Sequence, residues 1–223
     1  MDNNKLLLVD TKIFDDRKIY DGCFNRMSLM RQEKIQKFVR ERDRRLSLGA
    51  GVLLAYGLKM YGISSPRIAV AENGKPYIEG NEVYFNLSHS EEIAIGAFSD
   101  KEVGADVERI KSFEKAVADF VFDSEEIQAV RKNTKSDTDR EYTKLWTIKE
   151  SLAKYLGTGL SLNLKSVHID LSTMKAECQK HDTKKLEFTC RDMGEYIITV
   201  CSEYENFSCP EKTGVAELAE YFL

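Results

Sequence analysis

The chain is poor in paired cysteines, histidine and proline, and each scarcity excludes a class of protein. Its 223 residues include five cysteines, an odd number with no C-x-x-C pair, which argues against a disulfide framework. The three histidines, His89, His168 and His181, lack the spacing of a zinc site. Only three prolines are present, and no low-complexity segment marks a linker. We therefore expect a globular protein with free thiols in a reducing compartment.

Long apolar runs are missing as well. The first apolar run, residues 6–9, is too short for the core of a signal peptide. No run approaches the roughly 20 residues that are needed to span a bilayer. These absences predict a cytoplasmic protein with no membrane partner.

The chain carries no large excess of charge of one sign. It has 33 Lys and Arg against 37 Asp and Glu, for a net charge of -4. A nucleic-acid binder would usually present a basic field, so no nucleic-acid partner is expected. With 42% hydrophobic and 31% charged residues, the chain can bury a core without disulfides or a structural metal.

The spacing of apolar residues predicts an α+β protein. Apolar or small side chains from Leu46 to Tyr61 recur at helical spacing. Short β-prone runs, separated by turn signals, cover residues 67–107. In the first half of the chain we predict a strand at 6–9, helices at 29–40 and 46–61, and the sheet at 67–107. In the second half we predict helices between 113 and 156 that end at Gly157, strands at 167–171, 186–190 and 196–201, and a tail helix at 214–223.

Two acidic residues, Asp106 and Glu108, lie two positions apart in a predicted strand. Because side chains alternate along a strand, both carboxylates are expected on one face, with Gly104 leaving open space beside them. Two carboxylates this close repel each other unless a cation lies between them, and an oxygen-only pair suits Mg²⁺. The alternative is an exposed edge strand with ordinary surface acids.

A second polar stripe lies on the predicted helix that ends at Gly157. Trp146, Glu150 and Lys154 follow one another at intervals of four, so they share one face of the helix. Alone, Glu150 and Lys154 would be read as an exposed ion pair. Combined with the acidic strand, they complete a set of three carboxylates and a lysine, which suits metal-assisted transfer of a phosphate group.

Four blocks of the sequence, in their order, resemble those of one enzyme family. They are residues 73–77 (NGKPY), 85–90 (FNLSHS), 104–108 (GADVE) and 146–154 (WTIKESLAK). The last two are similar to the G-x-D-x-E and W-[ST]-x-K-E-[AS]-x-x-K signatures of the 4'-phosphopantetheinyl transferase superfamily. Ala105 departs from the larger aliphatic residue more usual at its position, but it is expected to face away from the acids. The chain resembles the larger, monomeric Sfp-like class.

The resemblance implies a fold of two pseudo-symmetric α+β halves with the active site between them. Residues 1–101 would form the half on the 3'-phosphate and adenine side of coenzyme A, and residues 102–223 the half with the metal site and catalytic helix. The implied enzyme transfers the 4'-phosphopantetheine moiety of coenzyme A to a serine hydroxyl of an apo acyl, peptidyl or aryl carrier protein and releases 3',5'-ADP. The resemblance also implies a monomer.

The same resemblance assigns the metal and catalytic residues. Mg²⁺, with Mn²⁺ as an alternative, would be held by Asp106, Glu108 and Glu150. Glu150 is the first candidate for the base that takes the serine proton, and Glu126 is the second. Glu126 is also the last residue of a capping box that begins at Asp123, which is the competing interpretation. Further catalytic and phosphate-binding candidates are Lys154, His89 and Ser88, whereas Lys149 is either an exposed ion-pair partner or a contributor.

The substrate side of the site is expected in the first half. Gly74, Lys75 and Pro76 would lie against the adenine and ribose, with a plain turn as the alternative. Arg31, Lys34 and Ser47 are the candidates for the 3'-phosphate, and Arg44 or Arg45 are the substitutes for them.

A carrier protein would need a docking surface, which we predict at residues 110–119 and the following helix. The apolar residues there are Phe113, Val117, Phe120 and Val121, and the hydrophobic core is the alternative for most of them. One competing function is a non-catalytic relative that binds coenzyme A or a carrier protein. Another is a different Mg²⁺-dependent transferase, although no P-loop or kinase motif is present.

Overall fold

A computed structural model of the chain describes residues 4–80, 83–132, 137–178, 180–204, 207, 209–214 and 217. Its helices are α1 (Arg17–Asn25), α2 (Leu29–Gln36), α3 (Glu41–Met60), α4 (Lys115–Val121), α5 (Ser124–Lys132) and α6 (Thr138–Leu156). Its strands are β1 (Lys5–Asp10), β2 (Ile68–Val70), β3 (Pro76–Ile78), β4 (Tyr84–Ser90), β5 (Ile93–Ser99), β6 (Val103–Arg109), β7 (Val167–Asp170), β8 (Lys175–Cys178), β9 (Glu187–Asp192), β10 (Tyr196–Ser202) and β11 (Glu211–Lys212).

The strands form two main sheets. The first has the order β11-β1-β5-β4 and the second the order β6-β10-β9, and β2-β3 and β7-β8 are separate two-stranded ladders. The predicted α+β class is therefore confirmed. The chain returns to the first sheet near its end, because β11 pairs in parallel with β1.

Strand β1 explains how the sheets share the core. Leu7 and Val9 lie in the cluster with helix α3, whereas Leu6 and Leu8 lie in a cluster with β6 and β10. Successive side chains of a strand point to opposite faces. Both faces of β1 are therefore buried, which accounts for its unbroken apolar run.

The helices follow the predicted pattern with different bounds. The helix expected at 29–40 ends at Gln36, and α3 begins at Glu41 rather than Leu46. Helix α6 ends as predicted at Gly157, whose φ of 67° is the left-handed conformation that glycine adopts without strain. Helix α1 was not predicted, although Asp16 caps it by accepting from the amides of Lys18 and Ile19. Most of the predicted tail helix lies outside the described residues.

Edge strands β4 and β6 bring the two sheets together. Three side chains of β4 accept hydrogen bonds from backbone amides of β6: Ala105 to Asn86 Oδ1 at 3.0 Å, Val107 to Ser88 Oγ at 3.4 Å and Arg109 to Ser90 Oγ at 3.2 Å. Each pair is separated by 19 residues, so the contacts advance in the same direction along both strands. We call this row of contacts the seam. Among the helices that the structure describes, none is long and apolar enough to cross a membrane.

Candidate active site

Asp106 lies on β6 at the middle of the seam. Its side chain is buried, and its Oδ1 accepts hydrogen bonds from Ser88 Oγ at 2.9 Å and Lys154 Nζ at 2.6 Å. Its Oδ2 is buried without a hydrogen-bond partner. A buried carboxylate oxygen without a partner is costly, so this atom is suited to receive an external ligand such as a metal ion.

Glu108 lies two residues farther along β6. Its Oε2 accepts from Ser90 Oγ at 2.9 Å and pairs with Lys111 Nζ at 3.4 Å. A groove of about 430 Å³ opens beside it, and its walls include Arg109, Lys111 and Arg140. Glu108 therefore stands between the buried Asp106 and an open surface.

Glu150 approaches these acids from helix α6. Its burial raises its pKa, and the charges of Asp106 and Glu108 raise it further, against the opposing effect of Lys154. Burial also raises the pKa of Asp106, again opposed by Lys154. A cation bound between these carboxylates would stabilise their charged forms. With the partnerless oxygen of Asp106, these three acids fit the oxygen ligands that Mg²⁺ prefers.

Gly104 makes the approach of α6 possible. A Cβ atom built on Gly104 would lie 2.1 Å from the backbone oxygen of Ser151 and 2.4 Å from the nitrogen of Tyr155. The expected open space beside the acids is therefore wrong, because the helix backbone fills it. The missing side chain brings α6, and with it Glu150 and Lys154, against β6.

Lys154 pairs across the interface between helix and strand rather than along its own helix. Its ammonium group contacts Asp106 and donates to Ser88 Oγ at 2.8 Å. Lys154 does not form the exposed ion pair with Glu150 that helical spacing alone suggested. Trp146, on the same face, is half-buried beside Phe113, with ring centroids 6.1 Å apart.

A group of basic side chains adjoins the acids. His89 lies on β4, and its pKa is lowered by partial burial, then by the charges of Lys154 and Arg31. The pKa of Lys34 is lowered by desolvation and then by Arg31. Arg31 thus acts electrostatically on both Lys34 and His89, and Lys154 acts on His89. Such a group suits a ligand that carries several phosphates.

Arg31 and Ser47 are held together on α2 and α3. Arg31 Nη2 donates to the Ser47 carbonyl at 2.9 Å, while Arg31 Nε and Ser47 Oγ are buried without partners. A Cβ at Gly51 would lie 2.9 Å from Arg31 Nε, so this glycine leaves room for the guanidinium. Two partnerless polar atoms beside the basic group again suit a polar ligand.

Other predicted coenzyme A contacts are engaged within the fold. Arg44 Nε donates to the Phe38 carbonyl at 2.7 Å, and Arg45 pairs with Asp15. Lys75 Nζ pairs with Glu102 at 2.7 Å and donates to the carbonyls of Val103 and Tyr155.

The turn that carries Lys75 meets β6 at its start and α6 at its end. Gly74 in this turn has a φ of +85° and no atom within 4 Å of a built Cβ, and Pro76 begins β3. The structure therefore places this turn at the far end of β6 from Glu108.

Glu126 lies in a separate buried pair with Lys149. Lys149 Nζ contacts Glu126 Oε2 at 2.7 Å and the carbonyls of Val121 and Leu164 at 3.1 and 2.9 Å. Glu126 also accepts from the amides of Asp123 and Ile169 at 2.9 and 2.8 Å. The capping interpretation is supported by these contacts. Lys149 is not exposed, contrary to one of its two interpretations, because this pair is fully buried.

Among the residues that the structure describes, one set of three metal-ligand side chains comes together, beside this pair, and it does not include the predicted Asp106, Glu108 and Glu150. Within the part of the chain that the structure describes, the ligand atoms of Asp123, Glu126 and His168 all lie within 4.8 Å of one another. His168 Nδ1 bonds Asp123 Oδ2 at 2.7 Å. Since Glu126 is bound by Lys149, existing contacts account for this set.

The predicted docking surface divides between core and exterior. Phe113 packs against the core and Val121 is buried within it. Phe120 is 81% exposed and Val117 42% exposed, both on α4. Only this outer pair is available to a partner.

Two residues of the seam were not predicted from the sequence as part of the site. Asn86 and Ser90 belong to the recognised block at 85–90, and they accept from β6 as Ser88 does. The alternation of polar residues at positions 86, 88 and 90 was the available signal, because alternate residues of a strand share a face.

Comparisons with known proteins agree with this geometry. The family model of the 4'-phosphopantetheinyl transferase superfamily matches residues 102–201. A 4'-phosphopantetheinyl transferase of Bacillus subtilis is 34% identical over 171 residues, covering 71% of this chain and 75% of the relative. The 4'-phosphopantetheinyl transferase gsp of Aneurinibacillus migulanus is 28% identical over 173 residues, covering 76% and 73% of the two chains. The 4'-phosphopantetheinyl transferase Sfp of Bacillus subtilis (strain 168) is 31% identical over 145 residues, covering 63% and 65%. The chain belongs to the 4'-phosphopantetheinyl transferase superfamily.

Proposed function

We propose that the chain transfers the 4'-phosphopantetheine moiety of coenzyme A to a serine of an apo carrier protein. The serine oxygen forms a bond to the phosphorus attached to pantetheine. The bond from that phosphorus to the bridging oxygen of the pyrophosphate breaks, and 3',5'-ADP leaves with the electron pair. The serine proton passes to a base on the enzyme.

The observation that carries this proposal is the environment of Asp106. Its partnerless Oδ2 lies next to two further acids and to Lys154, which combines a cation site with a fixed positive charge. Asp106, Glu108 and Glu150 would hold Mg²⁺, or Mn²⁺ in its place. When bound, such an ion supplies positive charge to the oxygens of the phosphate under attack.

Glu150 is the residue we assign as the base. Its place on α6 beside Asp106 would put its carboxylate next to the phosphate under attack, where the serine proton is released. Lys154 and His89 would stabilise the negative charge of the pyrophosphate and leaving group, with Ser88 holding Lys154 in place. Glu126 remains a second candidate for the base, although its buried contacts favour a structural role.

The 3'-phosphate would bind at Arg31, Lys34 and Ser47. The partnerless atoms of Arg31 and Ser47 support this assignment. The contacts of Lys75 favour a structural role for the turn at 73–76, so the adenine assignment of Gly74, Lys75 and Pro76 is the weaker part of the proposal.

The carrier protein would approach through the groove beside Glu108. Its walls carry basic side chains (Arg109, Lys111 and Arg140) and acidic ones (Glu91, Glu108 and Glu195), so they offer charge of both signs to a partner. Phe120 and Val117 on α4 would add apolar contacts. We further propose a cytoplasmic monomer, and its five free cysteines agree with a reducing compartment.

The division into halves at residues 101 and 102 belongs to this proposal as well. The separation of β5 and β6 into different sheets supports it. The pairing of β11 with β1 means that the C-terminal half would contribute a strand to the N-terminal sheet.

The test is a transfer assay on a panel of apo carrier proteins with coenzyme A and Mg²⁺. The mass of a reacting carrier should increase by one phosphopantetheine, and EDTA should prevent the increase. Coenzyme A binding without transfer to any carrier would favour the non-catalytic alternative. Absence of coenzyme A binding would overturn the proposal.

A further inference from the structure

Ser90 makes two hydrogen bonds at the end of the seam. Its hydroxyl donates to Glu108 Oε2 at 2.9 Å and accepts from the Arg109 amide at 3.2 Å. It therefore touches both a proposed metal ligand and the backbone next to that ligand. Neither contact requires Ser90 to meet substrate or metal.

Ser88 repeats this arrangement two residues earlier. It donates to Asp106 Oδ1 at 2.9 Å and accepts from the Val107 amide at 3.4 Å. Each serine thus bonds the acid 18 residues ahead and the amide 19 residues ahead. The regular spacing indicates that alternate serines of β4 are matched to alternate acids of β6.

The backbone that follows Ser90 is anchored at two points, Glu91 and Glu92. Glu91, which follows it, has a φ of +51° in the turn between β4 and β5, and its carboxylate pairs with Arg42 at 2.5 Å. The next carbonyl, that of Glu92, accepts from the amide and hydroxyl of Thr11 at 2.7 and 2.9 Å. A hydroxyl held on such a turn can restrict the rotation of Glu108.

We propose that Ser90 is a positioning residue that orients the Glu108 carboxylate for metal binding. The inference rests on the proposed function, since it assumes that Glu108 is a metal ligand. Substitution of a residue that orients a metal ligand typically lowers metal affinity or activity by about 10- to 100-fold. Without Ser90, Glu108 could turn toward Lys111, which already lies 3.4 Å from its Oε2.

Asn86 provides a matched control, because it joins the seam without touching an acid. Its side chain accepts from the Ala105 amide, so Asn86→Ala and Ser90→Ala each remove one acceptor from a β6 amide. Only Ser90→Ala also removes a hydrogen bond to a carboxylate. Ser90→Thr keeps the hydroxyl.

The experiment measures Mn²⁺ binding to the full chain by electron paramagnetic resonance, with coenzyme A present and no carrier. We expect Ser90→Ala to lower the Mn²⁺ affinity about 10-fold or more. Asn86→Ala should leave that affinity unchanged, and Ser90→Thr should restore it. Melting temperatures of all variants verify that each one is folded.

The outcomes separate this inference from the proposed function. If Ser90→Ala binds Mn²⁺ with the same affinity as wild type, the positioning role alone is overturned. The same holds if Asn86→Ala loses as much Mn²⁺ affinity as Ser90→Ala. A wild-type protein that binds no Mn²⁺ would overturn the metal site and the positioning role together.

Discussion

Two lysines of helix α6, Lys149 and Lys154, pair with carboxylates on other elements, and the two pairs differ in how completely their atoms are bonded. Lys149 and Glu126 are fully buried, and every polar atom of this pair has a partner, including two carbonyls and two amides. Lys154 and Asp106 are partly open, with 28% and 6% of their side chains exposed, and Asp106 Oδ2 has no partner.

The difference distinguishes a structural pair from a binding site. A closed network gains its full hydrogen-bond energy within the fold and has no capacity left for a ligand. A pair with a buried, partnerless oxygen is incomplete until something else binds there. The two lysines, five residues apart on one helix, therefore serve different purposes. Substitutions that separate stability from activity test this comparison.

The largest effect is expected from Glu126→Gln. It leaves the Lys149 charge uncompensated in the core, so the free energy of unfolding should fall by about 3–5 kcal/mol. Denaturant unfolding measures the loss, and transfer per folded molecule should persist. Glu125→Gln is the control, since the adjacent Glu125 side chain is 82% exposed. Lost transfer with unchanged stability would instead assign Glu126 as the base.

The opposite pattern is expected from Asp106→Asn. Loss of this carboxylate should slow phosphopantetheine transfer about 100-fold or more. The melting temperature should stay the same or rise, because burial disfavours the Asp106 charge more than Lys154 favours it. Carrier mass and thermal unfolding are the two measurements. A variant that unfolds more readily but still transfers normally would make Asp106 a structural residue.

Gly104→Ala should affect the Lys154–Asp106 pair more than the Lys149–Glu126 pair. The new methyl would force the α6 backbone away from β6, at a cost of about 1–3 kcal/mol in unfolding free energy. Because Lys154 and Glu150 move with the helix, transfer should also fall. Ala105→Gly at the neighbouring position is a control without a clash. Normal stability and transfer in Gly104→Ala would show that the tight approach of α6 is unnecessary.

The smallest effect concerns His168, which lies near the buried Lys149–Glu126 pair. Hydrogen bonding to Asp123 raises the pKa of His168 above 6.5, with smaller contributions from Glu126 and Glu125. This stabilisation is complete below pH 6.5 and is lost as the pH rises through the folded-state pKa. Since His168 is 37% exposed, His168→Gln should cost about 0.5 kcal/mol or less at low pH.

Melting curves of wild type and His168→Gln, recorded from about pH 6 to pH 8, test that sign. The difference between the two proteins should shrink as the pH rises. A difference that grows with pH would mean that neutral His168 is the stabilising form.

Local pattern was sufficient to predict many elements of the fold. The helical stripe from Leu46 and the glycine stop at Gly157 each depend on neighbouring residues, so the sequence displays them directly. The short strands β8 and β11 were not predicted, because two to four residues carry too little pattern. Their formation depends on partners that lie elsewhere in the chain.

The candidate site was predictable as a set of residues rather than as a set of contacts. The spacing of Glu150 and Lys154 suggested a mutual ion pair, whereas Lys154 pairs with Asp106, 48 residues away. Lys149 has the sequence environment of an exposed lysine and is buried. Both outcomes depend on how α6 packs, which helix periodicity alone does not determine.

The seam limits how the length of this protein can change during evolution. Backbone ladders tolerate almost any sequence, but the contacts between β4 and β6 need an amide or hydroxyl side chain at alternate positions. An insertion within β4 would bring apolar Phe85 or Leu87 opposite the β6 amides and separate the two sheets. Related chains should therefore vary in length at surface turns outside the recognised blocks, and keep the spacing within residues 85–90 constant.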